Sequence, residues 1–81
     1  MHRELLGIPE AHELVHTRHR HEVRGGEDTD IYEYEEHDSN GELVTRFTVR
    51  SSTDIHPPHK RTVIYESFSP SGIKTGSGEL E

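Results

Sequence analysis

The chain is 81 residues long, carries a formal net charge of −7 and contains no cysteine. One domain is the only organisation that this length accommodates, and the missing thiols exclude a disulfide framework, a thiolate zinc site and a cysteine nucleophile. Leu, Ile, Val and Phe make up only about one residue in five, just above the roughly 20% below which a highly charged chain is expected to be disordered, so any core is small.

The first residues, Met1-His2-Arg3-Glu4-Leu5-Leu6-Gly7, contain no apolar run of the length a signal peptide needs, and no segment approaches a membrane span. The expectation is a cytoplasmic protein with no membrane partner. Pro9 followed by Glu10 suits the first turn of a helix. A short N-terminal helix from Pro9 to about His16 is one reading, and a simple run-in to the first strand is the other.

Within that stretch, His12-Glu13-Leu14-Val15-His16 is a literal H-E-x-x-H. On a helix, that spacing sets two imidazoles one turn apart on one face, with the glutamate placed as general base. Over these five residues the chain resembles the zinc-binding helix of the zincin metalloproteases. The resemblance implies His12 and His16 as zinc ligands and Glu13 as base; a third ligand is still required, and His19 lies at the next helical position. With eight histidines and sixteen acidic residues in 81, however, a match of this kind is an unsurprising accident. Pro9 also leaves little helix ahead of the pair, and so small a core has no room for a substrate cleft. The expectation is that the chain is not an enzyme. His12, His16 and His19 stand as the candidate ligands of a divalent metal, zinc first, since imidazole suits zinc, copper and nickel.

From Thr17 to Arg24 the chain is basic, with Arg18, Arg20 and Arg24 interleaved by His19 and His21. Residues 27–42 then carry eight acidic side chains and no Lys or Arg. Two neighbouring strands whose charges face each other across a turn at Gly25-Gly26 explain both runs; the alternative is an acidic docking surface for a basic partner. Nucleic acid is not an expected partner, because the basic run is short and the net charge repels phosphate.

Asn40-Gly41 is the preferred pair for a two-residue type I′ hairpin. That loop sets Tyr34 opposite Phe47, Tyr32 opposite Val49 and Glu35 opposite Arg46, with Tyr32, Tyr34, Leu43, Thr45, Phe47 and Val49 sharing one face. Thr62 to Phe68, bounded by Pro57-Pro58 and Pro70, is rich in β-branched and aromatic residues and reads as a strand. The expected fold is mainly β, or a small α+β domain: a three- to four-stranded antiparallel meander over 15–24, 30–38, 43–52 and 61–69, with or without the short helix. The domain spans 1–69. Residues 70–81 are expected to be a flexible polar tail, with Leu80-Glu81 a cloning remnant.

Function follows only as a class. A small acidic binding or structural module without catalytic activity, self-associating as a homodimer or holding a protein partner, is the leading expectation. A histidine-based metal-binding protein is second, and a small zinc hydrolase using the H-E-x-x-H residues is third.

Overall fold

The computed structural model describes residues 2–80. A four-residue helix α1 (His2–Leu5) precedes strands β1 (Glu13–Arg24), β2 (Glu27–His37), β3 (Leu43–Asp54), β4 (Arg61–Phe68) and β5 (Lys74–Glu79). Each strand pairs antiparallel with its sequence neighbour, which gives one open five-stranded meander in the order β1-β2-β3-β4-β5.

Turn chemistry sets this order. Gly25 and Gly26 both adopt positive φ, 57° and 81°, as the two central positions of a type I′ hairpin require. Arg24 therefore pairs directly with Glu27. The Asn40-Gly41 turn is built differently from the sequence expectation. Asn40 keeps a negative φ and only Gly41 is positive, at 80°. The loop has three residues, closed by Asp38 N–H to Glu42 O at 2.9 Å. Asp38 Oδ1 explains the change: it accepts the N–H groups of Asn40 (2.9 Å) and Glu42 (3.0 Å), an Asx-type cap that holds the wider turn. A one-residue register shift between Glu36 and His37 then restores Tyr34 opposite Phe47 and Glu35 opposite Arg46. The same bulge takes Leu43 out of the tyrosine row, to pair with His37.

The β4–β5 hairpin repeats this device. Ser69 N–H bonds Ile73 O at 2.8 Å, Ser69 Oγ accepts Ile73 N–H at 3.1 Å, Gly72 supplies φ of 90°, and a register shift follows between Ser67 and Phe68. Residues 74–79, expected as part of a flexible tail, are thus a fifth strand, and the domain runs past residue 69. The glycines that suggested looseness permit the pairing. Tyr65 lies across Gly78 so closely that a Cβ there would sit 3.0 Å from Tyr65 Cε1. Leu80 N–H continues the sheet by donating to Val63 O at 2.7 Å; Glu81, the other residue of the supposed remnant, lies outside the described residues.

Residues 9–16 resolve to the run-in reading. Residues 10–12 are turn and bend, and the strand begins at Glu13. The one described helix sits earlier, at His2–Leu5.

Successive pairings line up rows across the sheet. One row runs His19, Tyr32, Val49, Tyr65, Gly78; the next runs His16, Tyr34, Phe47, Ser67, Gly76. These make a tyrosine face, where Val49 and Val63 are fully buried and Phe47 nearly so. The opposite face carries the row Arg20, Ile31, Arg50, Ile64, Glu79, of which only Ile31 is buried.

Substitution at Gly41 or Gly72 by Val is expected to destabilise by about 1–2 kcal/mol each, since a β-branched residue resists positive φ. Asn40→Ala is expected to change stability by less than about 0.5 kcal/mol. Urea denaturation of the three variants checks this; a large loss at Asn40 would restore the two-residue turn.

Candidate functional site

The acidic residues of β2 and the imidazoles around them form the densest polar cluster. Alternation along β1 puts His16, His19 and His21 on the tyrosine face and Arg18 and Arg20 on the other. On the tyrosine face, Asp30 Oδ1 accepts His19 Nε2–H at 3.0 Å and His21 Nδ1–H at 2.9 Å. His21 Nε2 also lies 2.7 Å from Asp28 Oδ1. That second approach is short but poorly aligned, so it is an ion pair, and Asp28 Oδ1 is buried without a hydrogen bond. The His19 ring stacks flat on Tyr32, centroids 4.7 Å apart and planes within 2°, and His16 leans on Tyr34 at 5.1 Å.

On the other face, Arg18 Nε and Arg20 Nε share the Glu33 carboxylate, each at 3.9 Å. Glu35 is held from two sides, by Arg46 Nη1 at 3.2 Å and His37 Nε2 at 3.0 Å. His37 also gives its Nδ1–H to Gly41 O at 3.2 Å. The buried Glu36 carboxylate accepts His12 Nδ1–H at 2.5 Å, which ties the segment before β1 to the end of β2. A buried carboxylate needs such a partner, because leaving it unpaired costs several kcal/mol.

These contacts shift the acid–base equilibria. The hydrogen bond to Asp30, then the charge of Asp28, raises the His21 pKa above 6.5. The bonds from His21 and His19 hold Asp30 below 3.8. The Glu35 bond, then Gly41 O, raises His37. Burial, then neighbouring Tyr32, pushes the Tyr34 phenol up.

The three residues expected as metal ligands are placed separately. His12 is in the turn before β1 and bonds Glu36. His16 and His19 are on β1, ring centroids 6.4 Å apart, with His16 Nε2–H given to Arg18 O at 2.9 Å and His19 given to Asp30. The H-E-x-x-H residues therefore cross from a turn into a strand, and the helical spacing that would aim both imidazoles at one ion is not formed. Among the described residues, no three His, Asp or Glu side chains are grouped to hold a metal. Sequence reasoning placed the basic run beside the acidic one but missed His21, Asp28 and Asp30 as a unit. The signal was there: His19 and His21 are two apart, and so are Asp28 and Asp30, across a two-glycine turn.

No protein-family model, curated protein or solved structure matches the chain.

A raised His21 pKa makes the imidazole–carboxylate contribution complete below pH 6.5 and removes it as pH climbs through the raised folded value. A lowered Asp30 pKa makes the same contribution complete above 3.8 and removes it as pH falls through the lowered folded value. The β1–β2 hairpin is thus held best between those limits. The His21 ring is expected to titrate above the ordinary value of about 6.5, and Asp30→Asn to bring it down. An NMR titration in which Asp30→Asn leaves the midpoint unmoved would remove Asp30 as the main cause.

Zinc is expected to perturb several histidine rings at more than one equivalent, with no sharp end point. A tight one-to-one complex that raises Tm by mass action and disappears in His12→Ala would instead assign His12, His16 and His19 as a site.

Proposed function

We propose that the chain is a non-enzymatic protein-binding module completed by a second copy of itself. The observation that carries this reading is Ile64. It lies on β4, an interior strand, yet it is 38% exposed. Stable domains bury sheet faces under a second layer, and among the described residues the strands pack chiefly against their sheet neighbours. The radius of gyration is 13.8 Å, against about 11.7 Å for a compact domain of this length. The accessible surface is 5452 Å², against roughly 5,000 Å² for a compact monomer of this mass. Both excesses describe one uncovered layer.

The open face differs from the one that the aromatic pattern suggests. Phe47 and Val49 are already buried within the single chain, so the tyrosine face has little left to offer. β4 is an interior strand, because β5 pairs along it. What remains is the face around Ile64, with a shallow groove of about 440 Å³ bordered by Arg50, Glu66, Lys74 and Glu79. Lys74 and Glu66 pair within the chain at 3.2 Å, which leaves Arg50 and Glu79, of opposite sign, to face their counterparts on a second copy across a twofold axis.

Sedimentation equilibrium is expected to give twice the 9.3 kDa chain mass. Ile64→Lys is expected to return the chain to monomer with its far-ultraviolet circular dichroism intact, whereas Ile73→Lys, on the 68%-exposed β4–β5 loop residue, leaves the dimer unchanged. A parent chain that stays monomeric at NMR concentrations overturns the proposal.

A further inference from the structure

β1 is an outer strand twelve residues long, and every side chain from His16 to His21 is exposed. An outer antiparallel strand turns the N–H and C=O of alternate residues away from the sheet, which is the template that an added strand uses. The two edges of the sheet are not equivalent. β5 has six residues, with Lys74 and Glu79 cancelling. β1 carries three arginines and three histidines against Glu13 and Glu22. Register puts Arg18 and Arg20 on one face of the edge and His16, His19 and His21 on the other.

The arginines are weakly engaged. Arg18 and Arg20 divide the Glu33 carboxylate at 3.9 Å each, Arg20 also lies 3.9 Å from Glu22, and Arg24 has no ion pair among the described residues. A chain of net charge −7 nevertheless opposes an acidic visitor, so distance decides the sign. An added strand lies about 4.8 Å from β1 and about twice that from β2. The screening length at physiological salt is about 8 Å. Carboxylates on the added strand stand directly opposite Arg18, Arg20 and Arg24, well inside that length, where opposite-charge pairs are favourable; Glu22 on the same face and the Glu33 carboxylate, 3.9 Å from Arg18 and Arg20, offset part of that gain.

We propose that the edge of β1 binds an extended acidic peptide segment as a sixth strand. Its carboxylates alternate so that they stand on the face of Arg18, Arg20 and Arg24, and uncharged side chains stand beside His16, His19 and His21. A second copy of this chain is the poorer occupant. Twofold antiparallel pairing of β1 with itself, centred on the arginine stretch, sets arginine against arginine, and like charges directly opposite are destabilising. The two proposals rest on different observations, the exposure of Ile64 and the arginines of the β1 edge, so either stands if the other falls.

The test uses the isotope-labelled full chain and a synthetic eleven-residue peptide of alternating Glu and Val. The expected result is saturable amide shifts and slowed hydrogen exchange at alternate residues of 18–24, the stretch beyond the irregularity at Thr17. Affinity falls as salt rises, a peptide of alternating Lys and Val does not bind, and joint Arg18→Glu and Arg20→Glu substitution weakens binding at least tenfold. Unchanged amide positions in β3 and β4 show that the variant folds. No binding, equal binding of the lysine peptide, or shifts mapping to β5 or Ile64 overturns the proposal. So does protection of 13–24 that rises with protein concentration before any peptide is added, which identifies a second copy on the edge.

Discussion

A single layer has to be held together from within the layer. With one sheet among the described residues, a buried side chain here is covered chiefly by its neighbours in the same row. Val49 shows how. It lies on the middle strand between Tyr32 and Tyr65 and reaches full burial. Full burial of an aliphatic side chain contributes about 1.5–3 kcal/mol, whereas an exposed ion pair contributes about 0–1 kcal/mol. Val49 and Val63 therefore outweigh individual pairs of the charge ladder, and the tyrosines matter because they shield those valines. The glycines of β5 belong to the same arrangement, since a side chain at 78 would displace the Tyr65 ring.

If the ion pairs add little stability, their role is in register. Side chains alternate faces with a period of two, so a one-residue slip exchanges the faces of a whole strand. Slipping β1 against β2 would bring Arg18 opposite Tyr32 and would take His19 and His21 off the face that carries Asp30. The correct register instead supplies Asp30 with two imidazole donors and Glu33 with two guanidiniums. A strand with an exposed middle and little apolar content has few other means of specifying its alignment. His12 does the same for the segment ahead of β1, because the buried Glu36 carboxylate accepts its ring N–H.

What was legible in the sequence was whatever depends on alternation and on glycine. The four main strands, the antiparallel order and the pairs Tyr34–Phe47 and Glu35–Arg46 follow from period-two patterning and a turn between them. The turn type did not follow, because Asn-Gly serves both a two-residue and a three-residue loop. Asp38, two residues upstream, decides between them through its side chain. β5 was hidden because Gly76-Ser77-Gly78 has no strand propensity of its own; it pairs because Tyr65 and Ser67 occupy the space above the glycines. The histidine cluster was legible only as charge. Which ring nitrogen meets which carboxylate depends on register across two strands, and the five-residue H-E-x-x-H pattern drew attention to a helix that the chain does not form.

The two three-residue hairpins show how the layer keeps its faces distinct. Each closes on an odd loop, with Gly41 or Gly72 at positive φ, and each is followed within one or two pairs by a compensating shift. One extra residue in the loop would by itself move the next strand out of phase with the core. The extra residue in the strand restores it, and bulges beside turns also increase local twist. As a result Phe47 and Val49 stay on the face of Tyr32 and Tyr34 despite the irregular turn, and the unshifted β3–β4 register puts Val63 there too and Ile64 on the other face. The uncovered face and the open edge of β1 then point in perpendicular directions. A partner stacked on Ile64 adds a layer, and a strand added at β1 widens the layer that exists.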